Sequence, residues 1–415
     1  MKVLCAREKL REGLALANSV IPSKSPKAVL TNVCLIASGE SLELVGTDLD
    51  VSLRYRITEQ VKVVEAGTVV VSARVLHDFV RDFAGETVEL DTREQNCVIR
   101  SGEDSAELVT ADADEFPNIA AFDEAGAFSL QAGTFTSLVN KTAFAAAREQ
   151  GRYAMHGVLV EIGDGLLKMV ATDGRRLALA HAPMDTASGT KPQKASIVPT
   201  RGTQLFTRVM SDPLDQVKLT FTEAQVGLKT RNAEVFARLL EGEFPRYSAV
   251  IPAESKNYCE ADASLLERKI RLVANVTGDE ARAVRFSLSP GRLELSGHSA
   301  GRGEAHAYLA VEYKGTDAEI AFNPDYVVDG LKNSESGIVK LEFNEKTSPG
   351  KFLLGENYIY IVMPITIDAY ARRCCVAAVV LVLSDLQVAC GKNHPRALHR
   401  RRFRVFATSL MKRTG

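Results

Sequence analysis

The sequence predicts an α+β chain made of three copies of one domain, each with two amphipathic helices packed on one side of antiparallel sheets. Text repeats at a nearly fixed interval. Leu14, Leu42, Leu44 and Thr47 return 125 positions on as Val139, Leu167, Met169 and Thr172, and 126 further on as Leu265, Leu293, Leu295 and His298. Around these anchors "GESLELVGTD", "GDGLLKMVATD" and "SPGRLELSGHS" each read as a turn, an alternating strand and a polar stop. A chain of 415 residues is also long for one core, but divides into three units that can each bury their own.

In the first unit Leu10, Leu14 and Ala17 share a helical face, after which "VCLIAS", "SLELVGTD" and "VSLRYRI" alternate with period two. Val51, Leu53, Tyr55 and Ile57 then face one way. The second half opens with "TVVVSA", runs a helix over Val75, Leu76, Phe79 and Val80, and returns through "TVELDT" and "CVIRSG" to a stop "EFP" at Glu115–Pro117. The same "EFP" recurs at Glu243–Pro245. The second unit repeats the first helix with Phe135, Leu138, Val139 and Thr142 and the second with Leu205, Phe206 and Val209. The third does so with Leu266, Ile270 and Val273, then Tyr326, Val327 and Leu331. With about eight short strands per unit, the expected domains are 1–125, 126–253 and 254–368, followed by an atypical extension, 369–415.

Composition is that of a soluble globular protein, with 46% hydrophobic and 25% charged residues. No apolar run follows a basic flank at the N-terminus, so a cytoplasmic, membrane-free location is expected. The seven cysteines form no CxxC pair, which predicts reduced, buried thiols. A net charge of −1 hides an asymmetry: residues 369–415 hold ten Lys and Arg against Asp385, net +9, which leaves −10 for the rest. An acidic body cannot hold nucleic acid through bulk charge, so any contact with DNA must be local or topological.

Catalytic signatures are missing: there is no GxxxxGK[ST] loop, no GxGxxG after a strand, no HExxH, no GxSxG and no clustered metal ligands. The acid pairs Asp48 with Asp50 and Asp112 with Asp114 suit turns better than catalysis. A binding module with no cofactor and no metal is expected, rather than an enzyme.

Four segments, "ATDGRRLALA" (171–180), "EGEFPRYSAVIP" (241–252), "FNPDYVVDGL" (322–331) and "YIYIVMPI" (358–365), give residues 1 to about 367 a close resemblance to the bacterial β sliding clamp family, the processivity subunits of DNA polymerase III. The resemblance implies three clamp domains per subunit and a homodimer closed head to tail, with helices lining the hole and sheets forming the wall. Duplex DNA would be encircled without reading its bases. It also implies DNA contacts at Lys24, Arg152 and Tyr153, and basic helix faces offer Arg7, Arg11, Arg74, Arg201, Arg268, Lys269 and Arg271 as further candidates. A pocket for short linear peptides from polymerases, the clamp loader and repair proteins would be built from Met155, Thr172, Gly174, Arg175, Leu177, Pro245, Val250, Ile361, Met363, Pro364 and Ile365, with Asn323 and Tyr326 at its rim.

Two features depart from the family pattern. The chain runs on for about fifty residues past "MP", through "CCVAAVVLVL" and "HRRRFRVF", where the abrupt change of composition predicts a disordered tail. The strand expected to join subunits, "SAELVTADA" (105–113), lacks the aromatic and basic residues expected near its start.

Overall fold

The computed structural model describes residues 1–148, 153–163, 165–184, 193–278 and 282–366. Arg152, the extension 369–415 and its three cysteines lie outside them. The first repeat runs β1 (Lys2–Ala6), α1 (Arg7–Val20), β2 (Asn32–Ser38), β3 (Ser41–Thr47), β4 (Val51–Ile57), β5 (Val61–Glu65), β6 (Gly67–Ser72), α2 (Ala73–Asp82), β7 (Thr87–Arg93), β8 (Asn96–Ser101) and β9 (Asp104–Val109). The second runs β10 (Phe128–Gln131), α3 (Ala132–Thr142), β11 (Gly157–Gly163), β12 (Leu166–Thr172), β13 (Arg176–Pro183), β14 (Gln193–Pro199), α4 (Thr200–Arg208), β15 (Gln216–Phe221), β16 (Gln225–Lys229) and β17 (Ala233–Arg238). The third runs β18 (Asn257–Asp262), α5 (Ala263–Ala274), β19 (Val284–Ser289), β20 (Arg292–Ser299), β21 (Gly303–Ala310), β22 (Glu312–Lys314), β23 (Ala318–Phe322), α6 (Pro324–Leu331), β24 (Ile338–Phe343), β25 (Gly350–Leu353) and β26 (Tyr358–Val362). Among the described residues no helix is long and apolar enough to cross a membrane.

Repeats are stitched together by strand pairing, because each leaves an edge strand whose backbone donors and acceptors need partners. β17 of the second repeat pairs antiparallel with β4 of the first, and β26 of the third with β13 of the second. The sheets therefore run continuously across both junctions, as β10-β15-β16-β17-β4-β3-β2-β6 and β14-β11-β12-β13-β26-β25-β24-β18-β22. Two sheets lie within single repeats, β5-β1-β7-β8-β9 in the first and β21-β20-β19-β23 in the third. Among the described residues their end strands β9 and β21 pair on one side only.

Periodicity in the sequence explains which faces are buried. Leu10, Leu14 and Ala17 of α1, Phe135, Leu138 and Val139 of α3, and Leu266, Ile270 and Val273 of α5 join one core with the inward strand positions. Where strand meets helix most closely, a small residue is required: a Cβ on Gly46 would lie 3.0 Å from Ile21, and one on Gly297 would lie 2.9 Å from Val273. Ala171 holds the same place in the second repeat. The constant interval fails in α5 of the third repeat, since Leu265 is only half-buried and Ile270 takes the place of Leu14 and Val139. The connection from helix to strand is five residues shorter there than in the second repeat, which shifts the helix but not the strands. In α2 Leu76 and Val80 face the core while Val75 and Phe79 are exposed.

Candidate functional site

The turn between β12 and β13 fixes the site. Thr172 Oγ1 donates to the Arg176 carbonyl at 2.7 Å and accepts the Gly174 N–H at 3.1 Å. Asp173 Oδ1 accepts the N–H groups of Arg175 and Arg176 at 2.8 and 3.0 Å. Gly174 has φ +86°, a left-handed conformation for which glycine carries no Cβ penalty. The turn leaves the Arg175 carbonyl to accept the Met363 N–H at 2.8 Å, one step beyond the ladder that sets Arg176 against Val362 and Leu177 against Ile361. Thr172, Gly174, Arg175 and Leu177 are thus brought beside Ile361, Met363 and Pro364, with Ile365 next in the chain.

On the outer side of this sheet a second apolar cluster forms, separate from the helix-side core. Leu177 and Ile361 meet Leu159, Val170, Leu179 and Ile197 there, under a cover of Ala154, Phe244, Tyr247 and Ile251. Pro245 and Val250 lie on the covering segment, and Met155 follows Ala154. The Tyr247 hydroxyl donates to Glu161 at 2.7 Å; burial, and then that carboxylate, push its pKa up and keep it a neutral donor. The cover is incomplete. Val250 and Met363 remain 38% and 37% exposed, two apolar side chains on segments that flank this buried cluster. An adjoining cavity of about 1300 Å³ is lined by Leu159, Ile197, Leu240, Phe244 and Tyr247, and by Pro245 alone of the predicted pocket residues.

On the helix side Arg176, absent from the predicted set, ties the second repeat to the third. It is 8% exposed and spends its donors on Asp173 at 3.1 Å, Asp329 at 2.9 Å and the Phe144 carbonyl at 3.0 Å. Its guanidinium lies 4.6 Å from the ring centre of Tyr326 and 5.3 Å from that of Phe144. Asn323 caps α6 by accepting the Asp325 N–H at 2.9 Å, with Pro324 in the first turn, and so positions Tyr326. A signal for Arg176 was present in the sequence: it occupies the inward phase of β13 otherwise held by Ala178 and Ala180. No such signal marked Phe244, Tyr247 and Ile251, whose segment has no strand period.

Of the DNA-contact candidates, Lys24 is exposed in the connection from α1 to β2, and Tyr153 opens a 3-10 turn in the matching connection of the second repeat. Arg11, Arg201 and Arg271 are paired with Glu8, Asp48 and Glu267. Arg7 donates to the Arg81 carbonyl at 3.3 Å. Lys24, Arg74, Arg268 and Lys269 make no ion pair among the described residues. The acid pairs are turn residues: Asp48 accepts from the N–H groups of Asp50 and Val51, and Asp112 from that of Asp114. Cys5, Cys34, Cys97 and Cys259 are buried free thiols, with burial as the leading cause of pKa values pushed up to about 11 or 12.

Comparison with known proteins bears on this arrangement. Models of the N-terminal, central and C-terminal domains of the DNA polymerase III beta subunit match residues 1–120, 129–246 and 248–365. The beta sliding clamp of Chlamydia trachomatis is 29% identical over 367 residues, spanning 88% of this chain and 86% of that protein. A crystal structure of the DNA polymerase III subunit beta from Pseudomonas aeruginosa is 28% identical with a TM-score of 0.83, covering 88% of this chain and 100% of that one. A Pseudomonas aeruginosa sliding clamp bound to griselimycin is 28% identical with a TM-score of 0.84, covering 88% and 99%.

Proposed function

From the membership of this chain in the DNA polymerase III beta subunit family, we propose that it is a DNA sliding clamp, a ring of two subunits that holds the replicative polymerase on duplex DNA and does no chemistry itself. The observation that carries this reading is the strand left over at each end. Both internal junctions join the fourth strand of one repeat, β4 or β13, to the last strand of the next, β17 or β26. The fourth strand of the last repeat is β21 and the last strand of the first is β9, and neither has an outer partner among the described residues. Two chains head to tail supply both missing junctions and close six repeats into a ring. Exposed apolar residues lie on the elements such a junction would join: Val75 and Phe79 on α2, Val109 on β9, Leu272 on α5 and Tyr308 on β21.

A closed ring needs no tight grip on phosphates, which suits an acidic body with a few unpaired basic side chains. Lys24, with Arg152 and Tyr153 in the matching connection, supplies the local DNA contacts in this reading. The groove with Val250 and Met363 at its rim takes short peptides with apolar anchors from polymerases, the clamp loader and repair proteins. Sedimentation should give twice the chain mass of 45.1 kDa. Protein loaded on nicked circular DNA should be lost when the circle is linearised. Equal retention on linear DNA would instead mean ordinary electrostatic binding.

A further inference from the structure

We propose that the junction between subunits carries a proton-sensitive clasp centred on His306, so that the ring loosens as pH rises from about 6.5 to about 8.5. The proposal rests on the head-to-tail reading above. It follows from the register of the two internal junctions, which is the same in both. Leu53 lies opposite Gly46 in its own repeat and opposite Val235 across the first junction. Its counterpart Ala178 lies opposite Ala171 and, across the second junction, opposite Tyr360. In the third repeat the residue opposite Gly297 is Ala305. On the other side Val235 pairs with Leu228, Tyr360 with Phe352, and their counterpart Ala106 with Ile99. The same register therefore sets Ala305 of one subunit opposite Ala106 of its partner, His306 opposite Ser105, and Glu304 opposite Glu107.

That places two carboxylates face to face at a surface meant to close. Like charges directly opposite across a ladder are destabilising unless a cation or proton joins them. His306 is the group positioned to do so: its Nδ1 lies 2.8 Å from Glu294 on β20 and its Nε2 3.1 Å from Glu304. The neighbouring groups complete the cluster. Tyr308 donates to Glu294 at 3.5 Å with Arg292 over its ring, and His298 on β20 faces Glu304 in the ladder. On β8, Asn96 donates to Glu107 at 2.7 Å, while Arg100, opposite Ser105, is held by Glu89 and Asp91. In the single subunit the hydrogen bond to Glu294, followed by the pull of Glu304, already raises the His306 pKa. Adding Glu107 of the partner raises it further, and a group whose pKa rises on assembly stabilises the assembly below that pKa and stops doing so above it.

Dimer dissociation measured by sedimentation at pH 6.5, 7.5 and 8.5 and constant ionic strength tests this directly. The Kd should rise at least about tenfold over that range, since closing the ring makes two such junctions at once. His306→Gln should flatten the profile and loosen the dimer at pH 6.5. Glu107→Gln should tighten it at pH 8.5. A flat wild-type profile, or a slope that survives His306→Gln, overturns the clasp while the dimer stands. A chain that stays monomeric throughout overturns the head-to-tail reading and the clasp with it.

Discussion

The two internal junctions are built on one plan and dressed differently. Their turns match atom for atom: Thr47 Oγ1 donates to the Val51 carbonyl and accepts the Leu49 N–H, as Thr172 does with Arg176 and Gly174. In both, the chain leaving "EFP" crosses the outer face of the sheet, with Phe116, Ile119 and Phe122 in the first and Phe244, Tyr247 and Ile251 in the second. The strand beneath differs. β4 presents Ser52 and Arg54 outward, and Arg54 is held by Glu43, Glu234 and the Ile119 carbonyl. At the same two positions β13 presents Leu177 and Leu179. The first junction is therefore closed by polar pairing, whereas the second keeps an apolar floor and an exposed apolar rim. On the proposed reading, a repeat serves as a fastening in one place and as a docking groove in another by changing two outward side chains and their cover.

The largest effect should come from Arg176→Ala, which removes the buried guanidinium shared by Asp173, Asp329 and the Phe144 carbonyl and leaves Asp329 with Lys332 at 3.4 Å. It should cost about 3–5 kcal/mol in chemical denaturation. Arg54→Ala in the first junction, where the arginine is more exposed, should cost about 1 kcal/mol. Next comes the floor: Leu177→Ala should lose about 2–4 kcal/mol, against under about 0.5 for Ser52→Ala at the matching position. The rim should separate binding from folding. Val250→Ala with Met363→Ala should weaken an apolar peptide at least about tenfold by calorimetry while moving stability by less than about 1 kcal/mol. Unchanged peptide affinity would remove the groove assignment. The smallest effect is at the turn, where Leu49 carries φ +79° in the place of Gly174. Leu49→Gly should stabilise by no more than about 1 kcal/mol, whereas Gly174→Ala should destabilise by about that much.

Much of this architecture is legible in the sequence because it is local. Alternation places Val51, Leu53 and Ile57 inward, and the interval of 125 carries Leu42 and Leu44 to Leu167 and Met169, all buried. The interval misplaces Leu265 because a shortened connection is invisible to a count that assumes constant spacing. The junctions are not legible, since β4 with β17 and β13 with β26 pair strands far apart in the chain, and no periodicity reports on a partner. Even so, "RLALAHA" is apolar on both phases where "VSLRYRI" alternates, and that difference marks the second junction as a sheet buried on both faces. Segments 171–180, 241–252 and 358–365 meet on the outer face of the sheet, whereas 322–331 sets Tyr326 against Arg176 on the helix side; Arg176, Phe244 and Tyr247 emerge only from the packing.

If the third junction repeats the first two, it closes a ring around DNA. Ser105→Cys with His306→Cys places a thiol pair across that junction alone. Oxidised after loading on nicked circular DNA, this variant should form a covalent dimer that stays on the circle through denaturation and leaves when the circle is cut. Failure of the cysteines to join subunits, or equal loss of the joined dimer from circular and linear DNA, would contradict it.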